Sequence, residues 1–295
     1  MQINRIPTVS LMSTADRNIQ AAQQRLAAAQ DKASSLKELT RPSDDPTAAA
    51  EAMAVRAQQR AADQHGRNIN NANGWLSTAD NALSEATSLM HQARDTVLAA
   101  SNHGALNEQA REAYALQLES IRDGLLSAAN TQFAGRSVFA GTSDAPSAFS
   151  PQGEYHGVAG DTVQRNISPT TTIRVDADGE AAFGSGENSI FALLDTIAGQ
   201  LRAGEPVSGH LEPLQERMDS ILSVQAVVGA NHATALRTQE SLVSEKVALE
   251  TRRSALEDAD LASAALELQT QEVAYQAALA SSARILQTSL MDYLR

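Results

Sequence analysis

Cysteine is absent from all 295 residues, which removes disulfides, thiolate metal sites and cysteine nucleophiles together. Aromatic residues are scarce, 3% against 42% apolar overall, so alanine carries much of the apolar count. Such a chain forms helices readily but fills a thick globular core poorly. There is no basic run and the net charge is −12, which argues against nucleic acid as a partner. No stretch of about 18 apolar residues occurs, so no membrane insertion is expected. The opening MQINRIPTVSLMSTADRN has no apolar signal core, and any export is expected to proceed without a removable signal peptide.

Turn-forming residues are missing from long tracts. No proline lies between Pro46 and Pro146 or after Pro213, and eleven of the sixteen glycines fall between Gly135 and Gly209. All five phenylalanines lie between Phe133 and Phe191. The expected fold is therefore mainly α, with long helices at both ends and a small β-rich insert between them.

What is present is a seven-residue repeat. Met12, Ala15, Ile19, Ala22, Leu26, Ala29, Ala33 and Leu36 follow one another in steps of three and four, the spacing of a coiled-coil seam. TRPSDDPT at 40–47 then breaks the pattern. Pro42 disfavours helical geometry at Arg41, so a helix arriving through Leu36 and Leu39 should end near there. Ser43, Asp44 and Asp45 are good N-cap and first-turn residues, and Pro46 suits the first position of a new helix. The stretch reads as a hinge between helices.

Beyond it, Ile69, Ala72, Leu76, Ala79, Leu83, Ala86, Met90, Ala93 and Val97 keep the same steps. Gly66 and Gly74 weaken that helix by about 1 kcal/mol each. Tyr114, Leu118, Ile121, Leu125 and Ala128 predict a third helix. RSVFAG, DTVQRNI and TTTIRVDADGEAAF carry β-branched and aromatic residues between turn signals and predict short strands. The change of period predicts a separable module over 135–189. Helical spacing returns with Ile190, Leu194, Ile197 and Leu201, then Leu214, Met218 and Ile221.

The last segment carries two apolar stripes. Leu261, Ala265, Leu268, Tyr275, Leu279, Leu286 and Leu290 make one; Leu266, Val273, Ala277 and Ala280 make another. A helix with two apolar faces needs more than one partner, or burial inside a single large globule. The first stripe, with Met12, Ile19, Leu26 and Leu36, is the candidate assembly interface.

Candidate chemistry is thin. His65, His91, His103, His156, His210 and His232 include no pair at the spacing of a helical zinc site. DADGE at 176–180 brings its glycine two positions early for a calcium loop and lacks the distal ligands, so it reads as a turn. FGSGEN completes neither a phosphate loop nor a dinucleotide fingerprint. No nucleophile elbow occurs. No catalytic residue, cofactor or metal is expected, and no enzyme.

The motifs nevertheless converge. Pro-Ser-Asp-Asp-Pro at 42–46 after a heptad helix, VGANHATALRTQESL at 228–242 and SSARILQTSLMDYLR at the C-terminus together resemble the flagellin superfamily. GRSVFAGT, the later YHG and a strand ending in Asp-Gly point within it to the hook–filament junction rather than to the filament subunit. Flagellin itself, usually with Lys-Asp-Asp-Ala at the hinge, remains an alternative, as does a soluble coiled-coil signalling protein. The resemblance implies a secreted, extracellular subunit that forms a homo-oligomeric ring between the first hook-associated protein and flagellin. It further implies type III export with a cytoplasmic export chaperone. Residues 1–44 and 258–295 would be a terminal coiled-coil inner domain, 45–134 and 190–257 a helical rod, and 135–189 a β-rich outer domain.

Overall fold

The computed structural model describes residues 5–39, 41–43, 45–102, 107–158 and 160–293, with backbone alone for 5–9, 11, 102 and 285–293. Its order is α1 (Arg5–Ser35), α2 (Pro46–Asn102), α3 (Glu108–Ala129), β1 (Gln132–Phe133), β2 (Arg136–Ser137), β3 (Gln164–Asn166), β4 (Thr172–Arg174), α4 (Gly179–Phe183), α5 (Ile190–Ala203), α6 (Leu211–Glu257) and α7 (Leu261–Tyr293). The fold is mainly α with a few small strands, as the sequence predicts. Contacts gather into two units: residues 1–60 with 246–295, and residues 61–245.

In the larger unit the α2 repeat is the core. Ile69, Ala72, Leu76, Ala79, Leu83, Ala86, Met90, Ala93 and Val97 are all shut from solvent. Leu118, Ile121 and Leu125 of α3, Leu194, Ile197 and Leu201 of α5, and Leu214, Met218 and Ile221 of α6 are buried with them. Asn107 caps α3 by accepting from the Ala110 amide, and Ser189 caps α5 through Ala192. Gly204, left-handed at φ 77°, closes α5.

The insert is less stranded than expected. β1 and β2 form a hairpin through Ala134 and Gly135, both at positive φ, the geometry of a tight primed turn. β3 and β4 pair antiparallel, with Arg165 opposite Ile173. The GEAAF part of the third expected strand is instead helix α4, because the Asp178 carboxylate accepts from the Ala181 amide and caps it. Asp176 is buried, ion-paired to Arg174 at 2.8 Å, and accepts from the Val163 amide.

The insert shares its core with the helices. Phe139, Phe149 and Phe183 form an aromatic cluster that includes Phe191 of α5, with Phe149 and Phe191 centroids 5.4 Å apart. Asn130, the C-cap of α3, clamps the Phe149 backbone from both sides, at 2.8 and 3.1 Å. Gly74 also finds its reason here. A Cβ at that position would lie 2.4 Å from Cζ of Phe133, whose ring packs on Trp75. Burial pushes the Tyr155 hydroxyl up to about 12, so it stays protonated and donates to the Phe139 carbonyl at 2.9 Å.

Candidate assembly surface and paired helix breaks

In the smaller unit α1 and α7 pack along one another. The α1 seam turns inward much as its repeat predicts: Ala15, Ile19, Ala22, Leu26 and Ala33 are half-buried and Ala29 is buried. Met12 stays exposed. Leu36 leaves the seam altogether. It adopts φ 54° just past the end of α1, and its side chain is exposed.

On α7 the inward face is Ala264, Leu268, Gln271, Tyr275, Ala278 and Ser282, an unbroken alternation of four and three. Leu268 and Tyr275 therefore belong to the inner contact. Leu261, at 65% exposure, and Leu279, at 42%, do not. The helix sets Ala264, Ala278 and Ser282 among Leu268, Gln271 and Tyr275 against an alanine-rich partner, and leaves Leu261 and Leu279 outside. The second stripe is wholly open: Leu266 is 65% and Val273 61% exposed, with Ala277 and Ala280 also exposed. The side chains of Leu286 and Leu290 lie outside the described residues.

An outward run on α6 escaped the sequence reading. Leu222, Ala226, Gly229, Ala233, Leu236 and Val243 are exposed at heptad-compatible steps. Its signal was present but hidden beside the stronger inward series containing Leu214, Met218 and Ile221.

The helix breaks are joined to each other. α1 ends at Ser35, six residues before the expected Arg41, because the next residues leave the helix to pair with the break between α6 and α7. Lys37 bridges Asp258 antiparallel; the Glu38 amide donates to the Glu257 carbonyl at 2.8 Å, and the Ala259 amide to the Leu36 carbonyl at 2.9 Å. Beyond the bridge, Pro42 and Ser43 are exposed turn residues. Asp44 lies outside the described residues. Asp45 is the cap: its carboxylate accepts from the Thr47 and Ala48 amides at 2.9 and 3.0 Å, with Pro46 as the first helical residue. Asp260 caps α7 in the same way through Ser263. Asp45→Ala is expected to cost about 1 kcal/mol, measured as a lower urea midpoint at unchanged slope.

A charge cluster fastens this bridge. Glu257 is only 3% exposed, and its carboxylate takes two bonds from Arg56, at 2.6 and 2.7 Å, and one from Arg253 at 3.2 Å. Lys37 sits 3.8 Å away and pairs with Asp258 at 2.5 Å. The Arg56 hydrogen bonds hold the Glu257 carboxyl below the usual carboxylate range. Its contribution is therefore complete above that range and is lost as pH falls through the lowered value. Nothing in the sequence marked this cluster, since Arg56 and Glu257 are separated by 201 positions.

Among the described residues no group of three or more His, Asp or Glu side chains could hold a metal, and no helix is long and apolar enough to cross a membrane. A cavity of about 200 Å³ beside the hinge is lined by Leu39, Pro42, Ala52 and Met53. It falls short of the roughly 300–1,000 Å³ of ordinary ligand pockets. What the smaller unit offers is helix surface.

Residues 6–144 match the bacterial flagellin N-terminal helical region. The flagellar hook-associated protein 3 of Salmonella typhimurium is 28% identical over 271 residues, covering 82% of this chain and 84% of the relative. That of Escherichia coli is 27% identical over 252 residues, covering 76% and 78%. A solved Vibrio parahaemolyticus protein assigned as a flagellar hook-associated protein superposes with a TM-score of 0.66 at 22% identity, over 72% of this chain and 99% of its own. That likeness is one of fold.

Proposed function

We infer that this chain, a relative of flagellar hook-associated protein 3 within the flagellin superfamily, is a structural junction protein of the bacterial flagellum. The observation that carries the reading is the relationship to two curated proteins of that name over most of their length, rather than to a filament flagellin. The exposed stripe of α7 supports a subunit completed by neighbours, since Leu266 and Val273 stand in water on a helix whose other face is already occupied.

On this reading the protein forms a ring between the first hook-associated protein and the flagellin filament. Residues 1–44 and 258–295 supply a terminal coiled-coil domain, 45–134 and 190–257 a helical rod, and 135–189 a β-rich domain. The hinge Pro42–Pro46 lets the chain leave one helix and start another with both ends capped. The subunit is exported to the outside of the cell with a chaperone held on its C-terminal helical region. Deleting the gene tests the core of this. Cells are expected to build hooks, release flagellin into the medium and lose swimming. Filaments of normal length on deleted cells would overturn the reading.

A further inference from the structure

The seam between α1 and α7 defines its own register only weakly, because the α1 side is nearly repetitive. A slip of seven residues replaces Ala15 by Ala22, Ala22 by Ala29 and Ile19 by Leu26 on α1. On α7 the same slip exchanges Ala264 with Gln271 and Leu268 with Tyr275. Most of the α1 exchanges are small against small or large against large; Leu26 with Ala33 on α1, and Ala264 with Gln271 and Tyr275 with Ser282 on α7, are the unequal ones. Such a slip moves one helix by about 10 Å, at 1.5 Å per residue. A heptad seam built largely of alanine, with Gln271 and Tyr275 as its distinctive inward residues on α7, separates neighbouring registers only weakly. The ten-residue break 36–45 is long enough to absorb the movement, since an extended chain spans roughly 3.3 Å per residue.

The breaks add what the seam lacks, because there the contacts are not repetitive. Residues 36–38 meet 257–259 through two backbone hydrogen bonds and the Lys37–Asp258 pair. Residue 257 is itself immobilised. Its carboxylate is buried and gathers Arg56 from α2, Arg253 from the preceding turn of α6, and Lys37 from the facing break. A bidentate arginine fixes orientation as well as position, and a seven-residue slip would move Leu36 and Glu38 off their partners.

We propose that Glu257 is a register pin. Held by Arg56 and Arg253, it sets residues 257–259, these set residues 36–38, and through them α1 is fixed against α7. Arg56, a positioning residue on α2, thereby decides how the outward stripe of α7 stands along the axis relative to α1 in the surface presented for assembly. This holds whatever the pair assembles into, so its test is independent of the junction reading.

The register can be read by zero-length coupling. Lys32 Nζ lies 3.2 Å from the Glu267 carboxylate, and Asp260 stands seven positions before Glu267. Carbodiimide treatment of the purified full chain, with the monomer isolated afterwards and digested for mass spectrometry, should give a Lys32–Glu267 link. In Arg56→Ala that link is expected to fall about tenfold while a Lys32–Asp260 link appears, with helical circular dichroism unchanged. Arg56→Lys, which keeps the charge but loses the bidentate fork, should restore the original link only in part. An undiminished Lys32–Glu267 link in Arg56→Ala would overturn the proposal. Loss of that link with no shifted product and reduced helicity would also overturn it, because the cluster would then stabilise the pair without choosing its register.

Discussion

Leu266→Asp combined with Val273→Asp is expected to leave the isolated subunit folded and to abolish its incorporation into the flagellum. Both side chains are more than 60% exposed on α7, so the monomer loses little by the change. Surface substitutions of this kind usually fall within about 0.5 kcal/mol, plus a few tenths for aspartate in a helix. The assembled state is different. Burying a leucine or valine fully contributes about 1.5–3 kcal/mol, and burying an unpaired carboxylate instead costs several more. Two such positions per contact shift it by about 5 kcal/mol or more, a factor of several thousand, and the ring proposed above would repeat the loss at every subunit. Thermal melting of the purified variant should match the parent, while electron microscopy shows hooks without filaments. The control is Glu272→Asp on the same exposed stretch, which should swim normally. Wild-type swimming by the double variant would remove this stripe from the assembly surface.

How much of this was legible beforehand depended on periodicity. The α2 seam from Ile69 to Val97 could be read directly, because its buried residues recur at fixed steps and lie wholly inside the core. On α7 two stripes competed, and periodicity could not rank them; the unbroken series through Ala264, Gln271 and Ala278 was masked by its small and polar members. The hinge illustrates the other limit. Its cap at Asp45 follows from local chemistry and could be named, whereas the early end of α1 depends on backbone bonds from Leu36 and Glu38 to residues at the opposite end of the chain. The same holds for Arg56 and Glu257. A single arginine and a single glutamate among many charges leave no pattern until the fold brings them together. Helix α4 was misread because GEAAF suits a strand by its neighbours, and one capping carboxylate at Asp178 was enough to reverse it.

Phe149→Ala should unfold more than the insert. The expectation of a separable module predicts that damage within residues 135–189 stays there and the helical signal is spared. The packing argues otherwise. The Phe149 ring is buried against Tyr155 at 5.2 Å, Phe183 at 5.7 Å and Phe191 of α5 at 5.4 Å. Its backbone is gripped by Asn130 at the end of α3. Truncating a buried phenylalanine costs about 3–5 kcal/mol, made up of lost transfer energy and the cavity left behind. Because Phe191 shares that cavity and belongs to α5, the cost is borne by the unit of residues 61–245 as a whole. A unit of that size loses about 2–4 °C per kcal/mol, so its melting temperature should drop by roughly 10 °C. The decisive observation is coincidence. Far-ultraviolet circular dichroism, which follows the helices, and near-ultraviolet dichroism, to which Tyr155 of the insert contributes with Trp75 of α2 and the other tyrosines, should move together to the lower temperature. A melt in which the near-ultraviolet signal is lost early while the helices hold at the parental temperature would return the insert to the status of an independent module. Coincident curves would instead make the aromatic cluster part of the helices' own core, and Asn130 the joint through which α3 carries it.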